Sequence, residues 1–351
     1  MITFTLIQTP EDLLKESTAW VNEKELAIDI ECENNLHHYG SFISIIQISS
    51  RTRNWIVDVL AIKDLAPLLN TFNNQSILKI FHDVGFDFRI LKHQYNCVPK
   101  PFFDTQLAAN FLGKEKVGLR SLLKEYLNII KDEHFQMVDW TRRPLSSAML
   151  AYAAKDTAYL LPLKDILCQK LQETNRTNWV EQELNSLQET DFTYHEQTHL
   201  DLPGVRTMTP QQRTMLHVLF EERKRIAQEV DRPVFMVFTN KQIVQWIQNP
   251  PRDWKTVPQV HPRVKHNAEH ITALVKNALN GKGEMLPFQK RQRLTPQQLI
   301  KIKELTDNRN LLAKKLSLPC HLLLNKDQIR DIAVTGNWNS ARPWQREVFR
   351  A

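Results

Sequence analysis

Asp29 and Glu31 stand two residues apart in "ELAIDIECEN", residues 25–34, the most strand-like run of the chain. In a strand, side chains at i and i+2 share a face. The two carboxylates therefore project together, while Ile28 and Ile30 turn the other way, into a core. Carboxylates held side by side repel, and each raises the other's pKa unless a cation neutralises them. Hard divalent ions such as Mg²⁺ and Mn²⁺ take oxygen ligands and suit such a pair. The plain alternative is an edge strand with one solvated face, which Glu33 would continue. On these residues alone the two readings weigh the same.

Two further segments supply partners. "KIFHDVGFDFRIL" ends a strand at Phe81, turns through His82 to Gly85 and starts a helix bearing Asp87. "LAYAAKDTAYLLPL" reads as helix, with Tyr152 and Asp156 at i and i+4 on one face. A tyrosine hydroxyl beside metal carboxylates can orient an attacking water. Asp87 alone would serve as a helix-start charge and Asp156 alone as a partner for Lys155. The ensemble of strand acids, a later acid after a strand and then Tyr-x-x-x-Asp is harder to explain that way.

The elements that must position these residues come next. Runs rich in β-branched residues predict strands at Thr3–Ile7, Leu26–Glu31, Ser41–Ile48, Trp55–Val59 and Ile77–Phe81. Thr9-Pro10-Glu11-Asp12 predicts a capped helix start. From about residue 104 the pattern is almost wholly helical, with a strong run from about Ser146 to Gln172. Polar, proline-containing breaks fall from residue 190 and from residue 280. Each ends in the same tetrapeptide, Thr209-Pro210-Gln211-Gln212 and Thr295-Pro296-Gln297-Gln298. At this offset of 86 residues Leu219 meets Leu305, Arg223 meets Arg309, Ala227 meets Ala313, Pro233 meets Pro319 and Gln242-Ile243 meets Gln328-Ile329. The back half therefore holds two copies of one small helical module.

The 351 residues suffice for two or three domains. Eight glycines, with no G-x-x-x-x-G-K-[ST] and no G-x-G-x-x-G, exclude the glycine-rich phosphate loops. The N-terminus lacks the pattern of a signal peptide and no run is long enough to span a bilayer, so no membrane role is expected. Cys32, Cys97, Cys168 and Cys320 form no C-x-x-C pair and read as reduced thiols of a cytoplasmic protein. Residues 1–190 carry 20 Lys and Arg against 24 Asp and Glu, net −4, and residues 191–351 carry 26 against 15, net +11. An acidic front and a basic back suggest a carboxylate site joined to a region that attracts polyanions, nucleic acid above all. Basic helices that merely keep the chain soluble are the alternative.

Asp29-x-Glu31, Asp87 and Tyr152-x-x-x-Asp156, in this order, resemble the three motifs of the DEDDy 3′–5′ exonucleases. "SIIQIS", "FFDTQLAANFLG", "VGLRSLLKEYL" and "VDWTRRPLSSAMLAYAAKDTAYLLPL" resemble ribonuclease D more closely. The two repeats resemble its HRDC (helicase and RNase D C-terminal) modules, the first more than the second. The resemblance implies an α/β RNase H-like exonuclease domain, a mixed sheet with flanking helices over residues 1–190. Two small all-α HRDC-type domains would follow at 207–283 and 293–351. It also implies that Asp29, Glu31, Asp87 and Asp156 hold two divalent metal ions (Mg²⁺ or Mn²⁺), with Asp29 bridging both, and that Tyr152 positions the attacking water. The implied partner is RNA, namely tRNA precursors and other small structured RNAs trimmed from the 3′ end to nucleoside 5′-monophosphates by a monomer. In the family an aromatic residue often follows the motif glutamate and threonine precedes it; here these are Cys32 and Ile30. A DNA-directed or broad-specificity exonuclease and a catalytically silent RNA-binding protein are the alternatives.

Weaker signals read differently. Arg142 and Arg143 either hold substrate phosphates or anchor a loop to acidic neighbours. His82 reads as a packed imidazole with a structural hydrogen bond. "HNAEH", His266 to His270, fits a zinc-protease pattern by coincidence. Trp246 and Trp254 read as core, and Lys290, Arg291 and Arg293 as a short basic patch.

Overall fold

The strand carrying Asp29 and Glu31 lies inside one mixed six-stranded sheet. Its strands are β1 (Thr5–Ile7), β2 (Glu25–Asn34), β3 (Ser41–Ser49), β4 (Asn54–Asp58), β5 (Leu78–Phe81) and β6 (Phe102–Asp104), in the order β1-β4-β3-β2-β5-β6. β1 runs parallel to β4, β2 to β5 and β5 to β6, while β3 is antiparallel to β4. The computed structural model describes residues 2–131, 134–281, 283–285 and 293–350; Lys290 and Arg291 lie outside them. All five expected strands are present. The sixth, Phe102-Phe103-Asp104, is too short for alternation to show in sequence.

Among the described residues eight helices accompany the sheet: α1 (Pro10–Trp20), α2 (Ala66–Asn73), α3 (Val84–Tyr95), α4 (Thr105–Phe111), α5 (Leu119–Leu127), α6 (Ser147–Ala158), α7 (Leu160–Glu173) and α8 (Thr177–Gln188). Thr9 caps α1 by accepting from the Asp12 amide, as its sequence predicts. The run from 146 to 172 is two helices, because Tyr159 leaves helical geometry at φ −111°, ψ 0°. Pro162 supplies the reason. In an unbroken helix its ring would collide with the Ala158 carbonyl, whereas in the first turn of α7 its missing N–H costs nothing. Leu26, Ala27, Ile28, Ile46, Val57 and Ile80 are fully buried in the core between sheet and helices.

α9 (Pro210–Glu229), α10 (Val234–Val237), α11 (Asn240–Gln248), α12 (Pro262–His266) and α13 (Ala268–Asn280) come next, followed by α14 (Pro296–Leu316), α15 (Cys320–Leu323), α16 (Lys326–Thr335) and α17 (Pro343–Arg350). The capping and turn bonds of the 86-residue repeat recur in both copies. Thr209 and Gln212 form a capping box on α9, and Thr295 and Gln298 form one on α14. Thr239 and Gln242 cap α11 as Asn325 and Gln328 cap α16. Asp231 and Ser317, also equivalent, both take left-handed backbone at φ 47° and 53°. Arg223 donates to the Phe238 carbonyl at 3.2 Å, and Arg309 to the equivalent Leu324 carbonyl at 3.3 Å.

The described residues of 1–31, 43–193 and 292–351 form one compact unit and those of 32–42 and 194–291 a second. The second unit has its own core, with Leu216, Leu219, Ile226, Ile243, Trp254 and Ile271 at 1% exposure or less. Trp246 and Trp254 meet edge to face inside it at 5.0 Å. The later repeat does not stand alone. Ala313, Leu318, Leu323 and Trp344 belong to the same apolar core as the sheet. Arg176 bridges the Phe111 and Leu316 carbonyls at 2.7 Å each. At Gly113, φ +71°, a Cβ would stand 2.3 Å from the Ser317 carbonyl oxygen, so the chain passes α14's end too closely for any side chain.

Candidate active site

β2 presents Asp29 and Glu31 on one face, with Ile28 fully buried and Ile30 8% exposed on the other. Glu33 does not continue a solvated face. It is buried and accepts the Leu36 and His37 amides at 2.5 and 3.0 Å. α6 brings Asp156 to the pair, and ligand oxygens of Asp29, Glu31 and Asp156 lie within 4.8 Å of one another. Ala153 and Ala154, both buried, let α6 approach the sheet closely, and Thr157 meets Ser49 of β3 at 2.6 Å between hydroxyls. Asp87 sits in the first turn of α3, near enough for the Asp29 charge to act on it, but outside the triad's common 4.8 Å.

The turn that delivers Asp87 is held by Asp104, a residue to which the sequence reading gave no role. Its carboxylate accepts the Asp83 and Val84 amides at 3.1 Å each, and the Gln106 and Leu107 amides at 2.8 and 3.1 Å. The signal was available, because Asp before Thr-Gln at a helix start is a common cap. His82 beside it bonds Thr105 at 2.9 Å, and burial pushes its pKa down to about 4, so it stays neutral as a structural imidazole.

Burial pushes Asp29 up to about 7, and the Asp156 charge adds to that while Lys131 opposes it. Burial and then Asp29 and Asp156 raise Glu31 well above its ordinary value; burial and then Asp29 do the same for Asp87. Asp156 rises to about 6 through burial, restrained by Lys131. Carboxylates that cling to protons near neutral pH are short of countercharge. An all-oxygen, mostly carboxylate donor set in that condition fits a hard divalent cation.

Tyr152 is 5% exposed and packs against Phe135 and Trp140 at ring distances of 5.5 and 6.1 Å. Burial lifts its hydroxyl to about 12, so it remains protonated and available as a donor. Lys131 is a second residue missed in the sequence. Its Nζ donates to Tyr152 Oη at 3.3 Å, lies 4.7 Å from that ring's centroid and pairs with Asp156. Burial works against its charge, but Asp156 outweighs that and holds it above the ordinary lysine value. Nothing in "IIKDEHF" marks it.

Arg143 is an anchor. It grips Asp58 with two bonds of 2.7 Å and donates to the Trp140 carbonyl at 2.7 Å. Arg142 reaches Asp139 at 3.2 Å and is otherwise exposed. The His266–His270 pattern assembles nothing: Glu269 pairs with Lys255, and His270 lies 3.6 Å from Glu222.

A mixed sheet bearing an acid pair on a central strand, faced by a helix with Tyr-x-x-x-Asp, defines a nuclease domain. Residues 3–172 match the family described as 3′–5′ exonuclease, and residues 212–276 match the HRDC domain. The chain is 30% identical over 258 residues to ribonuclease D of Haemophilus influenzae, covering 71% of this chain and 64% of that protein. It is 29% identical over 280 residues to the exosome complex exonuclease RRP6 of Saccharomyces cerevisiae, covering 74% of this chain and 38% of that one. The chain thus spans under two thirds of both. The crystal structure of Escherichia coli RNase D shares the fold at a TM-score of 0.76 and 21% identity, covering 99% of this chain and 96% of that one. The chain thus carries a 3′–5′ exonuclease domain in its front half and an HRDC domain behind it, and it is similar to proteins named ribonuclease D. That exonuclease family is metal-dependent.

Proposed function

We propose that this chain is a metal-dependent 3′–5′ exoribonuclease that trims the 3′ ends of tRNA precursors and other small structured RNAs, releasing nucleoside 5′-monophosphates. The convergence of Asp29, Glu31 and Asp156 within 4.8 Å, beside a protonated Tyr152, carries the reading. The names of its relatives favour RNA over DNA. Asp29, Glu31, Asp87 and Asp156 would hold two divalent ions, Mg²⁺ or Mn²⁺. When bound, these supply Lewis acidity to the attacking water and to the departing 3′ oxygen. The chain's own contribution is position. β2 fixes two carboxylates rigidly, Asp104 fixes the turn before Asp87, and Trp140 and Phe135 fix the Tyr152 ring. The Tyr152 hydroxyl donates a hydrogen bond that orients the water toward the terminal phosphodiester.

The basic helical modules, 207–283 and 293–351, would retain the RNA electrostatically while residues 1–190 hydrolyse it in the cytoplasm as a monomer. Degradation of matched 3′-tailed RNA and DNA with Mg²⁺, Mn²⁺ or EDTA, alongside Asp29→Asn, tests the proposal. Metal-dependent release of 5′-mononucleotides from RNA, lost in Asp29→Asn, is expected. Equal or faster loss of DNA would replace it with a broad-specificity exonuclease. RNA binding without hydrolysis would leave a silent binding protein.

A further inference from the structure

A second group of side chains of metal-ligating type lies within the helical unit. His199, His217 and Glu284 offer ligand atoms that all lie within 4.8 Å of one another. They come from three separate segments: the short 3₁₀ turn His199–Asp201, the middle of α9 and the chain after α13. His199 Nε2 stands 3.1 and 3.0 Å from the two Glu284 carboxylate oxygens, and His217 Nδ1 stands 3.8 Å from one of them. The imidazoles lie parallel, 4.2 Å apart at 6°, so the exposed His217 ring has to turn out of the stack for both in-plane lone pairs to reach one ion.

The group is held by its backbone. The Glu284 amide donates to Thr214 Oγ1 at 2.8 Å and to the Pro210 carbonyl at 3.1 Å, and its own carbonyl accepts from Arg213 at 2.9 Å. At Gly283 a Cβ would stand 2.2 Å from Pro210 Cβ and 2.7 Å from the Gln211 nitrogen, so only glycine lets the chain lie this close to α9. Thr198 and Asp201 close a capping box around the turn that carries His199. The His199 side chain is 9% exposed and that of His217 48%, so the group is anchored on one side and open to water on the other.

We propose that His199, His217 and Glu284 bind one Zn²⁺ ion that clasps the segment entering the helical module to the segment leaving it. Two imidazoles and a carboxylate form a donor set that zinc takes with a water in the fourth place. Tetrahedral ligands bonded at about 2.0–2.1 Å lie about 3.3 Å apart, and the 3.0–3.8 Å separations here bracket that figure. Mg²⁺ and Ca²⁺ prefer oxygen and would leave the imidazoles unused. The ion would join residues 85 apart in sequence and stabilise the module against unfolding.

The test is calorimetric titration of the untagged full-length chain with ZnCl₂ in excess Mg²⁺, paired with thermal unfolding. Wild type and His270→Ala, a neighbouring histidine outside the cluster, should bind one more equivalent of zinc than His217→Ala. Both should gain thermal midpoint on zinc addition, and His217→Ala should not. Glu284→Gln, which keeps the side chain's size, should lose at least tenfold in affinity with unchanged circular dichroism. The same zinc stoichiometry and midpoint shift in wild type and in both cluster variants would overturn the assignment, as would no zinc bound by wild type.

Discussion

Trp344→Ala probes how the later helical repeat is built into the sheet-bearing unit. Trp344 is fully buried, stacks on Trp179 at 5.1 Å and 24°, and meets Phe111 edge to face at 5.3 Å. Its indole N–H donates to Glu183 at 2.9 Å, and Arg342 pairs with the same carboxylate at 3.0 Å. Truncation would open a cavity bordered by two aromatic rings and remove one of Glu183's donors. Tryptophan-to-alanine changes in cores cost about 3–5 kcal/mol. A unit of this size shifts by about 2–4 °C per kcal/mol, so its midpoint should fall by about 6–20 °C. Scanning calorimetry gives the midpoint, and residual nuclease activity after a brief heat step shows whether the catalytic fold is what failed. A midpoint within about 1 °C of wild type would refute the reasoning and leave α14–α17 as an independent appendage. Cutting the chain before α14 should fail the same way, so deletion of the whole back half would not isolate RNA retention from catalysis.

The site acids make the metal-free protein pH-sensitive. With Asp29 raised from 3.8 to about 7, its stabilising protonated form is lost as pH climbs through 7, so the midpoint in EDTA should fall from pH 5 to pH 8. Asp29→Asn should flatten that fall and abolish hydrolysis; an unchanged slope would show that Asp29 is not the strained group. Tyr152→Phe should lower kcat by about 10²–10³ with KM little changed, since only the orienting hydroxyl goes; undiminished turnover would remove Tyr152 from the mechanism. Arg143→Ala strands a buried Asp58 carboxylate and should cost about 3 kcal/mol or more. Burial opposes it, but bonds from Arg143 and Gln8 hold Asp58 below its ordinary value, so that loss should shrink as pH drops through the acidic range. A raised KM for RNA at unchanged stability would instead make Arg143 a phosphate ligand.

The site's acids were legible because each lies at a position where chemistry overrides propensity. Asp29 and Glu31 interrupt an apolar strand, and Tyr152 and Asp156 keep helical spacing in an alanine-rich run. Capping chemistry and repetition exposed the duplicated module, since Thr-Pro-Gln-Gln is a local signal that needs no tertiary partner. What escaped depends on contacts distant in sequence. Lys131 has no periodic context, and its meaning comes from Asp156, 25 positions later. His199 and Glu284 flank a module as ordinary polar residues until folding closes the gap. Trp344 reads as one more aromatic of a terminal helix, and only packing makes it part of the sheet's core.

The two copies of the 86-residue repeat live under different constraints. The first keeps an interior of its own, around Leu216, Ile226 and Trp254. The second lends its interior to another fold, with Ala313, Leu323 and Trp344 packed into the core they share with Phe111 and Leu167. The first copy can therefore change inside without disturbing the core packed against the sheet. The second must change in step with α4 and α8, and Gly113 forbids even a methyl group where the two meet. One copy of the repeat stands as part of a separate unit, and the other is a structural part of the unit that holds the sheet.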